Sequence, residues 1–287
     1  MKKKVISAVL CALLLFLSAC SSAPSETGGN TVPPTAAAKL PNVTEGKETY
    51  RGFTVDNILH SEEYGDIHYN VYIPENYDGS EAYALYFTLP GYEGLYFQGV
   101  AQNLKSENFG FEAQKYNGKM IIVALQLSDW GEFSANQTIT LVEFFLDNYN
   151  IDRNKVFANG YSGGGETMSI AVGKRPDLFT AYLQVASKWD GDFESVAKAR
   201  LPVYLAIGEN DEYYGSSPTR QAYETLRSLY EKQGLTSAET DEILVLDIKS
   251  HDWFTSRNAP SEHGGGGLFA EDPEIMGWLF GQSKNSA

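Results

Sequence analysis

The sequence predicts an α/β domain, a mostly parallel central sheet with helices on both faces. Three observations carry that expectation. Short apolar runs rich in β-formers alternate with segments whose apolar residues recur at helical spacing. The runs at 83–89, 120–125 and 203–207 are nearly all apolar rather than alternating, as strands covered on both sides must be. A Gly-x-Ser-x-Gly segment stands between one such strand and a helix.

Taken in order, the chain begins with Lys2, Lys3 and Lys4, an apolar run from Val5 to Leu17, and then Leu17-Ser18-Ala19-Cys20. That run is short for a membrane span and reads as an export signal. The small residues before Cys20 resemble the bacterial lipobox, which implies cleavage before Cys20 and lipidation of its thiol. The expectation is a signal over residues 1–19, a membrane anchor at Cys20 and an extracytoplasmic protein. Residues 20–47, rich in Ser, Thr, Gly, Pro and Ala, cannot bury enough apolar surface to offset their ordering entropy and are expected to be a flexible tether. The folded domain is placed at 48–287. Cys11 and Cys20 are the two cysteines of the chain, so the domain has no thiol for a disulfide or a thiolate metal site.

The formal charge is −15 and grows more negative once the signal lysines leave. Such a surface repels nucleic acid and anionic headgroups, so no nucleic-acid partner is expected. Histidine and carboxylate spacings include no His-x-x-x-His or similar ligand pattern, and neither a metal nor another cofactor is required.

Within the domain, 50–74 reads as antiparallel lead-in strands, with Ile67 to Ile73 stopped by Pro74. Buried strands follow at 83–89, ending at Pro90-Gly91, and at 120–125. Residues 138–149 have the helical spacing Ile139, Leu141, Val142, Phe145, Leu146. A short strand is expected at 156–159 and a helix after Gly165. Further strands are read at 179–185, 203–207 and 243–248, with helices at 219–233, ended by Gly234, and at 273–280.

Gly160-Tyr161-Ser162-Gly163-Gly164 matches a nucleophile elbow, in which small flanking residues permit a sharp strand-to-helix turn that lifts the serine oxygen above the sheet. The strand before it and the helix after it are the context the motif needs. With these surroundings, residues 50–282 resemble the α/β-hydrolase superfamily, and within it the esterase branch that includes polyhydroxybutyrate-depolymerase-like and feruloyl-esterase-like proteins. The resemblance implies the α/β-hydrolase fold and a Ser, acid, His order along the chain.

By that resemblance the acid lies after the strand at 203–207, where Asp211 occupies the family position and Glu209 and Glu212 are rivals. The base must follow the last strand, which leaves His251 and His263. The spacing of His263 to the closing helix, and the glycines at 264–267 behind it, favour His263, leaving His251 as a substrate-loop or surface residue; His60 and His68 lie in the lead-in strands and read as structural. The oxyanion donors implied are the N–H groups of Gly163 and, from Leu89-Pro90-Gly91-Tyr92, of Tyr92, where many relatives have His-Gly. Trp189 and Tyr213, on loops expected at the same sheet edge, are candidate substrate-stacking aromatics. Glu166, one turn into the helix, reads as a carboxylate favoured by the helix N-terminus.

The chemistry implied is ester hydrolysis through an acyl-enzyme on Ser162, on a small-molecule or polysaccharide ester such as an acylated carbohydrate or an aryl ester. Two other readings remain: a non-catalytic ligand-binding lipoprotein, and a serine peptidase, which would be expected to carry a substrate-gating domain.

Overall fold

Alternation along the apolar runs decides the layers. The computed structural model describes residue 40 and residues 42–284, and the side-chain environments of the central strands there follow a period of two. Leu85, Phe87 and Leu89 enter one core and Ala84 and Tyr86 the other; Ile121, Val123 and Leu125 are likewise separated from Met120, Ile122 and Ala124. Both faces are therefore apolar and both need covering.

The strands are β1 (Val43–Thr44), β2 (Glu48–Tyr50), β3 (Phe53–Ser61), β4 (Gly65–Tyr72), β5 (Tyr83–Leu89), β6 (Met120–Leu125), β7 (Ile151–Tyr161), β8 (Ala181–Val185), β9 (Val203–Gly208) and β10 (Leu244–Lys249). They form one sheet in the order β1-β3-β4-β6-β5-β7-β8-β9-β10, with β2 also beside β3. The lead-in strands pair antiparallel as far as β4 against β6, and every pairing from β6 to β10 is parallel. This is the mostly parallel sheet expected.

The helices are α1 (Gln102–Ser106), α2 (Phe109–Ala113), α3 (Glu132–Asn148), α4 (Gly163–Lys174), α5 (Phe193–Lys198), α6 (Ser217–Lys232), α7 (Ser237–Ile243), α8 (His251–Thr255) and α9 (Pro273–Gly281). Leu141, Val142 and Phe145 of α3, Met168 and Val172 of α4 and Leu226 and Tyr230 of α6 fill one core. Phe109 and Phe111 of α2, Phe254 of α8 and Ile275, Met276 and Leu279 of α9 fill the other.

Several boundaries differ from the expectation. The expected tether to residue 47 overlaps the sheet, because Val43 and Thr44 pair with Leu59 and Ile58 and the Gly46 N–H donates to Asn57 Oδ1 at 3.1 Å. Helix α3 starts at Glu132, six residues early, since Ser134 and Ala135 are already buried. Helices α1, α2, α5, α7 and α8 were not foreseen. At five to seven residues each, they span too few turns for a 3.6-residue period to show. The signal at 1–19 and Cys20 lie outside the described residues, and no helix among the described residues is long and apolar enough to cross a membrane.

Buried polar bonds seat the segment that leads from β5 to α2. Asn103 Nδ2 donates to the carbonyls of Ala124 and Leu125 at 3.1 and 2.8 Å, while its Oδ1 accepts from Asn70 Nδ2 at 2.8 Å. Residues 90–107 are thereby tied down onto the ends of β4 and β6.

Phe87 is fully buried at the middle of β5 and meets Phe145 edge-on at 5.9 Å. Phe87→Ala is expected to lower stability by about 3–5 kcal/mol in denaturant titrations, the cost of a central cavity.

Candidate active site

Strand β7 runs straight into α4, and the change of direction falls on one residue. Ser162 has φ 54° and ψ −127°, a conformation that non-glycine residues avoid and that costs about 1–3 kcal/mol. Its N–H donates to Val185 O at 3.0 Å, and its carbonyl accepts from Ser187 Oγ at 2.6 Å. The flanking glycines are required by contact. A Cβ on Gly160 would lie 2.4 Å from the Gly164 carbonyl oxygen, and one on Gly164 would lie 2.4 and 2.6 Å from those of Pro90 and Leu89. The elbow is thus pressed against the C-terminal end of β5.

Ser162 Oγ lies 3.0 Å from His263 Nε2, and His263 Nδ1 lies 2.8 Å from Asp211 Oδ2. A carboxylate only accepts, so Nδ1 carries the hydrogen and Nε2 is left to accept from the serine hydroxyl. Asp211 is buried in the turn after β9, and its Oδ1 accepts from the N–H groups of Tyr213 and Tyr214 at 3.0 and 2.8 Å. The imidazole is held from several sides. Its backbone N–H donates to Glu212 Oε2 at 2.8 Å, Tyr161 OH donates to its carbonyl at 2.7 Å, and the Tyr161 and Tyr213 rings stack against it at 5.7 and 5.4 Å.

The two rivals for the acid have other places. Glu209 is exposed on the same turn. Glu212 clamps the base loop by accepting from Glu262 N and His263 N; burial pushes its carboxyl up, but these N–H groups hold it below its ordinary value. The glycine run has a specific role at Gly266, where a Cβ would lie 1.9 Å from the Tyr161 ring.

A cavity of about 740 Å³ opens above Ser162 and His263, lined also by Tyr92, Trp130, Glu107, Glu166 and the Tyr213-Tyr214 pair. Tyr213 is therefore at the cavity, as expected. Trp189 and His251 are corrections, since neither lines it. Trp189 is buried, stacked on Phe193 at 5.1 Å with its Nε1–H donating to Gly191 O at 2.9 Å, so its ring fills the core rather than facing a ligand. His251 opens α8 behind the base loop, where Nδ1 lies 3.1 Å from Glu262 Oε1. Glu166 does sit in the first turn of α4, and it also accepts from Tyr214 OH at 2.5 Å.

Gly163 is the first residue of α4 and Tyr92 the first of a short 3-10 turn, positions whose N–H groups have no acceptor within their own helix. A Cβ on Gly91 would meet the Tyr161 ring at 2.8 Å and Ser162 Cβ at 3.4 Å, which places the Gly91–Tyr92 segment beside the serine.

Comparisons with known proteins bear on the fold. A model of the prolyl oligopeptidase family matches residues 126–247. Acetylxylan esterase A of Emericella nidulans is 25% identical over 147 residues, covering 47% of this chain and 48% of that protein. The chain thus spans about half the length of this curated relative. Among solved structures, a thermostable esterase superposes with a TM-score of 0.65 at 20% identity, covering 81% of this chain and 63% of that one. The S-formylglutathione hydrolase of Agrobacterium tumefaciens superposes with a TM-score of 0.54 at 14% identity, covering 83% and 99%. The chain has the α/β-hydrolase fold.

Sequence reasoning missed several cavity residues, Trp130 and Glu107 among them. Trp130 follows β6 and packs its indole on Gly163, where a Cβ would come within 2.2 Å of the ring. The signal was an aromatic just past the C-terminal end of a buried strand, the edge at which such sheets place their ligands. Glu107 is buried and its Oε1 accepts from Gly91 N–H at 2.7 Å. Burial pushes its carboxyl up to about 8, with nearby Glu93 adding to the rise and the Gly91 N–H opposing it. A carboxyl in a polar-looking segment gave no sequence signal, because only the tertiary fold buries it. It holds the N–H of Gly91, while the Gly91 carbonyl accepts from Gly94 N–H at 3.1 Å, so both sides of this glycine are fixed and with them the direction of the Tyr92 N–H.

The raised value has a signed consequence. Between its ordinary 4.5 and about 8 the folded protein retains a proton on Glu107 that the unfolded chain has released, so stability falls as pH rises across that window. Glu107→Gln keeps an acceptor for Gly91 without a titrating group. Thermal unfolding followed from pH 4.5 to 9 is expected to show the variant gaining on the wild type as pH rises to about 8 and running parallel to it above; a constant difference across the window would contradict the buried neutral carboxyl.

Proposed function

We propose that this α/β-hydrolase is a serine carboxylic ester hydrolase that acts from the outer side of the membrane, tethered by a lipid on Cys20. The observation that carries the chemistry is the Ser162, His263 and Asp211 chain of hydrogen bonds, 3.0 and 2.8 Å long, at the floor of an open cavity. Ser162 Oγ attacks the ester carbonyl while His263 Nε2 takes its proton. The imidazolium then protonates the leaving alcohol, and water, activated by the same nitrogen, releases the acid from the acyl-enzyme. Asp211 holds the tautomer and stabilises the imidazolium. The Gly163 and Tyr92 N–H groups receive the negative charge that develops on the carbonyl oxygen, where one such donor is worth about 10²–10³ in turnover.

The substrate we favour is a neutral ester of a polyhydroxylated or aryl alcohol. Among the described cavity residues Glu93 and Glu166 are acidic, Glu107 is a neutral carboxyl and none is Lys or Arg, which disfavours an anionic substrate such as a glutathione thioester. The aromatic walls at Trp130, Tyr92 and Tyr213 suit a sugar or aryl face. The name of the curated relative, an acetylxylan esterase, points the same way. The prolyl oligopeptidase family match supports a peptidase as the second reading.

Labelling with a fluorophosphonate probe tests the site. Wild type and His251→Ala are expected to label, Ser162→Ala and His263→Ala to remain unlabelled, and Asp211→Asn to lose about 10⁴ in kcat on p-nitrophenyl acetate through the wrong tautomer. An unlabelled folded wild type would favour a ligand-binding protein, and peptide p-nitroanilides cleaved faster than p-nitrophenyl esters would favour the peptidase.

The anchor is tested separately by feeding cells an alkyne palmitate. The wild type should take up the label and sediment with membranes, whereas Cys20→Ala should do neither; equal labelling of both would remove the anchor from the proposal.

A further inference from the structure

Three aromatic rings lead outward from the nucleophile. Trp130 covers Gly163, next to Ser162; Tyr92 stands 6.2 Å from Trp130 at the cavity lip; Phe97 stands 5.5 Å from Tyr92 and lies outside the cavity lining. The outer two are conspicuously exposed, Tyr92 at 52% and Phe97 at 61%. Exposure of a phenyl ring on a slack loop would mean little, but this loop is pinned on both sides of the ring. Tyr96 N–H donates to Leu127 O at 2.8 Å and its ring stacks on His68 at 4.0 Å; the Gly99 carbonyl accepts from buried Gln126 Nε2 at 2.6 Å. Phe97 is therefore held largely in water by a fastened frame, with the Tyr92 ring beside it.

We propose that Phe97, together with Tyr92, forms an outer sugar-binding subsite, so that the enzyme acts on an acylated unit within an oligosaccharide chain rather than on an isolated sugar. This rests on the ester-hydrolase reading above and goes beyond it by assigning chain-length preference to a residue outside the reaction site. The ring steps of 6.2 and 5.5 Å are each close to the length of one pyranose, so a sugar whose acyl carbonyl is placed at Ser162 leaves its neighbour over the Tyr92–Phe97 pair. The polar groups beside the rings select the occupant. Glu93 follows Tyr92 directly and is exposed at the lip, and Glu166 lines the cavity, giving acceptors for hydroxyl hydrogens next to faces that take up C–H groups. An acyl chain or lipid laid along the same path would strip water from these carboxylates without replacing its hydrogen bonds. A polyanion would be repelled by them.

The test compares kcat and KM of the purified protein on acetylated β-1,4-linked tetrasaccharides of xylose, mannose and glucose, on the corresponding acetylated monosaccharides, and on p-nitrophenyl acetate, which is too small to reach Phe97. For at least one sugar the tetrasaccharide is expected to have the lower KM. Phe97→Ala should raise that KM about three- to tenfold with kcat unchanged, leave the monosaccharide and p-nitrophenyl acetate as they were, and be rescued by Phe97→Tyr. The proposal is overturned if no tetrasaccharide is preferred over its monosaccharide, or if the preference survives Phe97→Ala. Turnover of p-nitrophenyl acetate without turnover of any acetylated sugar also overturns it while leaving the ester-hydrolase reading in place; failure of the wild type on p-nitrophenyl acetate as well would bring down that reading itself.

Discussion

The backbone of Ser162 is the constraint on which the rest of the site depends. A residue with a side chain has been placed at φ 54° and ψ −127°, and the surrounding structure must hold it there. It does so by contact. Gly160, Gly164 and Gly165 leave no room for a Cβ against one another, against the ends of β5 and against Ser187. Relaxing the turn would drive α4 away from the Leu89 and Pro90 carbonyls and break the bond from Ser187 Oγ to the Ser162 carbonyl. The same contacts bring the Gly91–Tyr92 peptide beside the serine. One strained residue therefore sets both the position of the hydroxyl and that of the loop expected to answer the charge on its substrate.

The opposite wall is built from acids that have been given different work by their surroundings. Asp211 is buried and hydrogen-bonded to two backbone N–H groups and to His263 Nδ1. Glu212, one residue on, turns to the backbone of the base loop, and Glu262 reaches back to Asn210 N–H at 2.6 Å. The turn after β9 and the loop before α9 are thus clipped together by carboxylates, so the histidine arrives at the serine on a frame fixed from both ends. Glu107 is different again. Buried where water cannot solvate a charge, it is best accommodated as a neutral carboxyl that still accepts from Gly91.

Acidity also explains the character of the cavity. Its carboxyl groups stand among aromatic rings rather than among cations, so attraction for an anionic substrate is lacking while acceptors for hydroxyl hydrogens are plentiful. Lys188, which lies 4.0 Å from the cavity residue Glu166, is paired with Asp190 at 3.0 Å and is thereby committed to its neighbours. The rings that wall the cavity continue past its lip along a loop fastened by Gln126 and Tyr96. On the reading proposed above, substrate preference is in this way separated from Ser162 and His263, which sit deeper.

Much of this was legible in the amino-acid sequence. The unbroken apolar runs of β5, β6 and β9 could only be strands covered on both faces, and the glycines around Ser162 announced a turn that no bulkier residue could make. The order of Ser162, Asp211 and His263 along the chain was implied by the family resemblance that the elbow motif carries. What stayed hidden depended on burial and direction. Trp189 and Trp130 each follow a buried strand, yet one stacks in the core on Phe193 and the other walls the cavity, because the path of the chain after the strand decides which way a ring points. The short helices α1 and α2 had too few turns to mark themselves, and with them went the burial of Glu107. Periodicity and turn chemistry are local and belong to the sequence alone; which carboxyl is stripped of water, and which ring faces a ligand, are set by neighbours distant in the chain, and only the tertiary structure decides them.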